Sequence, residues 1–590
     1  MSTAIVTGQP VPGSSLEGDL RALGFDVRPV PDPADAAAAL AGVPGDQRVA
    51  VVDAGFVGHV HALRLGLTDP RFPASAIPGA VTAQPAARPA LEEAVKEAGT
   101  VPDAVADRLA AAGTDVHRPE LGELVAAVPA DPQARNEVRQ SVAAVDDEAI
   151  RLRTAVKARD GFFTTYCISP YSRYIARWCA RRGLTPNQVT TASLLTALIA
   201  AGCAATGTRI GFVAAGVLLL FSFVLDCTDG QLARYSLQYS TLGAWLDATF
   251  DRAKEYAYYA GLALGAARAS GGGDDVWALA LGAMVLQTCR HVVDFSFNEA
   301  NHDATANTSP TAALSDKLDS VGWTVWVRRM IVLPIGERWA LIALFTAFTT
   351  PRITFYMLLI GCALAACYTT AGRVLRSLTR RAHRTDRAAE ALADLADSGP
   401  IARAVARTGR SAAAPVVAAL GGVAVVTVSA LTDFGSVWPV VAAAVYCVTS
   451  GLAVARPLKG ALDWLVPPVF RASEYLTILV LAARADVNGA LPAAFGLVAA
   501  VAYHHYDTVY RIRGGTGAPP QWLVRATGGH DGRTLVVAVL AALLGNTDFT
   551  VALTVCAVFV ALVVLAESIS FWVASARRGA PAVHDEGEPA

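Results

Sequence analysis

The sequence predicts a mostly α-helical polytopic membrane protein, with about 12 spans in two six-helix halves and a small N-terminal soluble α/β domain. Of 590 residues, 17% are charged and 53% hydrophobic, whereas a globular chain carries about 25% charged residues, so much of the surface faces lipid. Apolar runs of span length recur from residue 187 to residue 574, and residues 1–133 instead alternate short β-type stretches with helical ones. The 49 Lys+Arg nearly balance the 50 Asp+Glu, which argues against a nucleic-acid binder, since that needs a basic excess on one face. Nine cysteines occur without a Cys-x-x-Cys pair, indicating neither a zinc site nor a disulfide framework.

Within the soluble domain, 1–133, Thr3 to Thr7 and Val49 to Asp53 read as strands. The stretch from Val51 through Gly55 to Gly58-His59-Val60-His61 reads as strand, turn and helix with incidental histidines, and no glycine-rich phosphate fingerprint occurs here. The first twenty residues lack a basic start and apolar core, so a cytoplasmic N-terminus is expected. Residues 134–185 hold a charged helix to about 160, then a stretch around Tyr171 to Arg182 mixing aromatics with Arg at helical spacing, as in a helix lying in the membrane interface.

Thr185-Pro186 supplies an N-cap and a proline at the first helical position, opening a first membrane domain, 186–375. Its spans are expected at 187–206, 209–228, 241–268, 275–296, 337–350 and 352–373. A basic cytoplasmic linker, 376–412, leads to a second membrane domain, 413–575, with spans at 413–431, 436–455, 472–485, 489–509, 533–546 and 549–574, and a polar tail, 576–590. A bilayer core of about 30 Å needs about 20 apolar residues, so 337–350, 472–485 and 533–546 are the weakest. Basic residues fall in alternate loops (Arg181-Arg182, Arg373 to Arg387, Arg456/Lys459, Arg511 to Arg525, Arg577-Arg578), while Gly271 to Asp275, Thr432 to Ser436 and Gly545 to Phe549 carry none. By the positive-inside rule both termini are cytoplasmic, in a multi-pass protein of the cell membrane.

One stretch carries chemistry. Asp226 and Asp229 end one span, three residues apart; Asp247 and Asp251 begin the next, four apart. Each pair lies on one helix face, and a short connection lets the four carboxylates converge. Desolvation and mutual repulsion oppose four charges in one partly dry site, and oxygen-only ligands suit a hard divalent cation, Mg²⁺ or Mn²⁺, two of which would clamp a pyrophosphate. Gly230 and Ala233 leave room for a ligand against the backbone, and Arg234 supplies a permanent cation for phosphate. Acids that merely decorate helix ends explain Asp247, near an N-terminus, but not Asp226 and Asp229 near a C-terminus, where negative charge is disfavoured.

Asp226, Asp229, Gly230, Ala233, Arg234, Gly243, Asp247 and Asp251 match the D-x-x-D-G-x-x-A-R-x8-G-x-x-x-D-x-x-x-D signature, and on it residues from about 160 to 375 resemble the CDP-alcohol phosphotransferase family. The resemblance implies a six-helix, metal-dependent membrane enzyme that moves a substituted phosphate from a CDP-linked donor to an alcohol and releases CMP in phospholipid biosynthesis. It also implies roles: Asp226, Asp229 and Asp247 on metal, Asp251 on metal or as catalytic base, and Asp229, Gly230, Ala233, Arg234 and Gly243 against the CDP moiety. A CDP-linked lipid, CDP-diacylglycerol, with a polyol or polyol phosphate as acceptor is the first reading. A CDP-linked small alcohol with a lipid acceptor, or a cation or proton transporter using intramembrane carboxylates, are the alternatives.

Arg290, His291, Asp294 and Arg173 are candidates for the acceptor, although helix-end snorkelling or lipid anchoring accounts for the arginines equally well. In the second half Arg471, Glu474, His504, His505, Asp507 and Arg511 form a polar cluster of unknown role, a second headgroup or metal site or else mutual ion pairing. Membrane lipids are expected partners, and a homodimer is a candidate assembly.

Overall fold

The computed structural model describes residues 2–9, 11–157, 160–270, 275–303, 330–379, 383–409 and 413–577. The expected loop at 271–274, the junctions of the basic linker at 380–382 and 410–412, and the polar tail from 578 lie outside them.

The N-terminal region is a small α/β domain. Its strands are β1 (Ser2–Thr7), β2 (Phe25–Val30), β3 (Arg48–Asp53), β4 (Val57–Gly58), β5 (Ala74–Ile77), β6 (Ala80–Ala83), β7 (Val116–His117) and β8 (Ala126–Ala127). Six of them form one sheet in the order β2-β1-β3-β6-β5-β7, with β1 parallel to both neighbours and β6 antiparallel to β3 and β5. The short antiparallel β4-β8 pair stands apart. Helices α1 (Leu16–Ala22), α2 (Ala36–Ala41), α3 (Val60–Leu67), α4 (Arg88–Ala98) and α5 (Pro102–Ala111) cover the two faces, each closing an apolar cluster such as Val49, Val51, Val81 and Leu91 on one side and Ala50, Val52, Leu63 and Leu67 on the other. The histidines after β3 are structural: His59 Nδ1 accepts from the Val125 amide at 2.8 Å, its Nε2 lies 3.0 Å from the Val142 carbonyl, and His61 is buried.

Helices α6 (Pro132–Ala143) and α7 (Asp147–Thr154) lead to α8 (Ser169–Arg181), which exposes Tyr171, Tyr174 and Trp178 while burying Ser172, Ala176 and Cys179, the arrangement expected of an interfacial helix. The first apolar bundle comprises α9 (Pro186–Ala205), α10 (Arg209–Ser236), α11 (Thr241–Ala269), α12 (Asp275–Asn301), α13 (Ile335–Phe348) and α14 (Pro351–Thr379). Thr185 and Gln188 form a complete capping box at the start of α9. Then come α15 (Asp386–Ala396) and α16 (Pro400–Ala406), and a second bundle of α17 (Ala414–Leu431), α18 (Trp438–Ala453), α19 (Val466–Arg484), α20 (Ala490–Arg513), α21 (Gln521–Thr527), α22 (Gly529–Leu543) and α23 (Asn546–Arg577).

Among the described residues seven helices are long and apolar enough to cross a membrane, α9, α10, α12, α14, α17, α19 and α23, and they make this a multi-pass membrane protein. Their outward stripes are apolar at helical spacing: Ile210, Val213, Val217 and Phe221 on α10, Val551, Val555, Val558 and Leu562 on α23. The other five segments expected as spans are helices too, with a physical reason for the shortfall. Helices α13, α18 and α22 have 14, 16 and 15 residues, and α11 and α20 carry charged and histidine side chains that turn inward. The stretch expected as a linker is more structured than its composition suggests: α15 and α16 bury Ala388, Leu392, Leu395 and Ala402, and α15 packs on α12, α19 and α20.

Candidate active site

Helix α10 runs unbroken through Asp226, Asp229 and Gly230 to Ser236, and the left-handed Leu237 (φ 52°) ends it. Three residues later the Ser240 hydroxyl accepts from the Gly243 amide at 2.9 Å and starts α11. Both helices pack along α9 but scarcely touch each other, leaving a wedge between them into which the aspartates converge. Close contact with α9 explains the glycines of α11: a Cβ at Gly265 would lie 2.0 Å from the Ala204 carbonyl oxygen, one at Gly261 2.4 Å from that of Ala201, and one at Gly243 2.9 Å from Asn187 Oδ1. Gly243 thereby serves the seating of α11 on the start of α9.

Asp226, Asp229 and Asp247 each present a carboxylate oxygen within 4.8 Å of the other two. Asp229 is buried, and among the described residues its Oδ2 has no hydrogen-bond partner, which suits an oxygen that ligates a cation. Asp251 is turned to a residue the motif does not contain: Lys254, fully buried, lies 2.8 Å from Asp251 Oδ1, forms a short ion pair with Asp226, and donates to Ser193 Oγ at 3.2 Å. Gly230 has room for a Cβ beside Arg234, and Ala233 is half-buried. Arg234 donates from Nε to the Ala155 carbonyl at 2.6 Å.

The connection between α10 and α11 is gripped by the N-terminal region. Arg151 of α7 donates to the Tyr235 carbonyl at 2.8 Å and lies over its ring, the Tyr235 hydroxyl donates to Glu148 at 2.8 Å, and Arg71 lies over the Tyr239 ring. Burial holds the Arg151 guanidinium down to about 10. Glu148 also faces Arg177 and Arg181 at 3.9 and 3.7 Å, and Arg173 lies over the Tyr174 ring.

The acceptor candidates sit inside the bundle. Arg290 is buried and donates to the carbonyls of Val332 and Leu333. Asp294 pairs with Arg373. His291 contacts Arg252, Gln287 and Tyr506 of α20. Beside them, missed in the sequence, Glu255 accepts from Arg252 (3.0 Å), Tyr259 (2.6 Å) and Arg338 Nη2 (3.3 Å), all buried or nearly so. Spacing offers a signal for Lys254 and Glu255, ionisable residues inside a span and on the face of Asp247 and Asp251; none exists for Arg338, which comes from α13.

The second-half cluster divides in two. Arg471, Glu474 and His504 surround Asp397 and Arg533: Asp397 lies 3.1 Å from Arg471, 2.8 Å from Arg533 and 3.4 Å from His504, and Glu474 lies 2.5 Å from Arg533 and 3.1 Å from Arg471. Asp507 and Arg511 instead face Glu567, Ser568 and Trp572 of α23. His505, fully buried, makes no hydrogen bond from its ring among the described residues.

Residues 183–367 match the family model of the CDP-alcohol phosphatidyltransferases, and residues 386–590 match a second, described only as a family of unknown function. A bifunctional IPC transferase and DIPP synthase of Aquifex aeolicus is 32% identical over 114 residues, 19% of this chain and 26% of that protein. The archaetidylinositol phosphate synthase of Pyrococcus horikoshii is 36% identical over 91 residues (15% and 47%), and the phosphatidylinositol phosphate synthase of Streptomyces avermitilis 32% over 133 (21% and 51%). The chain thus spans between about a quarter and about half the length of these relatives.

Proposed function

With residues 183–367 forming a CDP-alcohol phosphatidyltransferase domain, we propose that this protein transfers a phosphatidyl group from CDP-diacylglycerol to a phosphorylated polyol and releases CMP. The observation that carries the reading is the convergence of Asp226, Asp229 and Asp247 beside Asp251, in the wedge between α10 and α11. Two relatives are named as synthases of inositol phosphate lipids, and we extend that to this chain as an inositol phosphate acceptor.

Asp226, Asp229 and Asp247 fit a hard divalent cation, Mg²⁺ or Mn²⁺, by donor type and by the orphaned Asp229 oxygen. Such a cation, when bound, neutralises the donor diphosphate and the departing CMP. Arg234, oriented by its bond to Ala155, lies one helical turn from Gly230, where the absent side chain lets the nucleotide approach. Asp251 accepts the proton of the acceptor hydroxyl as its oxygen bonds to the β-phosphorus. The bond from that phosphorus to the CMP oxygen breaks, and its electron pair leaves with CMP. Arg290, His291 and Arg252, near one another beyond Asp251, supply positive and hydrogen-bonding groups for the acceptor phosphate. We read α11, α13, α18, α20 and α22 as embedded among the seven apolar helices, which completes twelve membrane helices.

The test is CMP release by the full-length protein in detergent, offered CDP-diacylglycerol and a panel of alcohols including inositol phosphate, with Mg²⁺, with Mn²⁺ and with chelator. Release that needs both metal and an inositol phosphate is the expected result. Absence of CMP with every donor and acceptor pair overturns the transferase reading, and release with an unphosphorylated lipid alcohol overturns the choice of substrates.

A further inference from the structure

We infer that Lys254 stands where a second cation would sit, so that the centre takes a single divalent ion on Asp226, Asp229 and Asp247. The inference rests on the transferase reading above and departs from the two-ion clamp that four converging carboxylates suggest. The Lys254 ammonium has three protons to give and three oxygens around it: Asp226 Oδ1, Asp251 Oδ1 at 2.8 Å and Ser193 Oγ at 3.2 Å. Ser193 is itself fixed, its hydroxyl donating to the Ser222 carbonyl at 2.9 Å, and the Trp339 ring lies 5.4 Å from the ammonium. Lysine and Ser193 are both 0% exposed. Two of these contacts are hydrogen bonds, to Asp226 and Ser193, and the third is an ion pair with Asp251.

A second metal ion in a two-ion clamp sits about 3.5–4 Å from the first and needs carboxylate oxygens at about 2.1 Å. The carboxylates left for it are Asp251 and one shared with the first ion, and the pair that fits, Asp226 with Asp251, already encloses the ammonium. A monovalent charge fixed on the chain and a free divalent ion cannot occupy the space between the same two oxygens. The three carboxylates that do converge leave Asp251 out. The arrangement has a consequence for Asp251: ion-paired to a lysine rather than bound to metal, it keeps a lone pair for the acceptor proton. Lys254 is therefore a positioning residue for that base.

Manganese titration of the full-length protein, followed by loss of the free Mn²⁺ electron paramagnetic resonance signal, tests this. The count is the number of ions removed by Asp229→Asn, which excludes ions held elsewhere. One ion per chain is expected, unchanged in Asp251→Asn; Lys254→Met, of similar length but uncharged, is expected to bind two, with the broadened signal of a coupled pair. Two ions in the wild type overturn the inference, as does loss of an ion in Asp251→Asn or a single ion in a folded Lys254→Met. Should Lys254→Met fail to elute as a folded species, the wild-type and Asp251→Asn counts decide the matter. One ion without CMP release from any donor leaves the inference standing and sinks the transferase reading, whereas no bound ion overturns both.

Discussion

Asp229 on α10 and Asp251 on α11 belong to one motif yet keep different company, and their substitutions should separate. Asp229, buried with an oxygen that faces no donor among the described residues, acts through a cation in the proposed reading. Asp229→Asn is expected to abolish Mn²⁺ binding and lower CMP release by more than about 10²-fold, since even an outer-shell partner of a metal ligand is worth about 10–100-fold. Asp251→Asn removes the proposed base, so turnover is expected to fall by about 10²–10⁴-fold while donor and metal binding persist; full turnover in that variant would remove Asp251 from the mechanism. In the soluble domain, burial and the cations Arg151 and Arg64 lower the His61 imidazole from 6.5 to about 4. The unfolded chain takes up this proton first, so the contribution is complete above about pH 6.5, falls progressively as pH drops towards 4, and does not change further below it. At about 1.36 kcal/mol per unit, roughly 3 kcal/mol is lost across that window. Amide exchange of β3 between pH 7.5 and 4.5 checks it, and His61→Gln, uncharged throughout, should flatten the profile.

The helices position the carboxylates through backbone contacts, and the glycines of α11 set the distance. At Gly265 a side chain would meet the Ala204 carbonyl, a backbone atom that cannot rotate away. Gly265→Val should therefore lift α11 from α9, destabilise by at least about 1–3 kcal/mol as overpacking does, and lower CMP release because Asp247 and Asp251 ride on the same helix. Gly202, on α9 with open space at its Cβ position, is the control: Gly202→Ala should leave activity intact and keep or raise stability, by up to about 1 kcal/mol. Thermal unfolding in detergent together with the CMP assay distinguishes the pair. Equal behaviour of the two variants would mean that the close approach of α11 to α9 has no bearing on the site.

Across the whole molecule the two bundles share an interface rather than a tether. Trp277 meets Phe495, Phe297 meets Trp464, Trp245 stacks on Trp572 and His291 contacts Tyr506. Composition alone makes residues 376–412 look like a boundary where a cut leaves an active first half. The structure sets against this the apolar face of α12 that the cut would uncover, together with Asp397, whose carboxylate holds Arg471 and Arg533. A chain ending at residue 385 is expected to aggregate or to elute without a defined size, and to release no CMP. A monodisperse, active 1–385 would establish that the second bundle is an independent unit.

The motif was legible because its chemistry is local: spacings of three and four place Asp226 with Asp229 and Asp247 with Asp251 on helix faces whatever the surroundings, and the cap at Thr185-Pro186 depends on neighbours in the chain. The α/β character of residues 1–133 and the apolar helices follow from periodicity in the same way. Partners drawn from distant segments were not legible. Lys254 lies within the motif's own helix, but that it meets Asp226, 28 residues away on α10, and Ser193 on α9 follows from three helices packing together. Likewise Arg338 on Glu255, Tyr506 on His291, and Asp397 between Arg471 and Arg533 each join segments more than 70 residues apart. Hydropathy describes what a helix would show to lipid, and α11 and α20 bury many of their residues against other helices, so their polar residues lower their apparent apolarity while filling the interior. Local spacing carried the reaction class; long-range packing decided which charges neutralise one another, and with them which carboxylates are left for a metal.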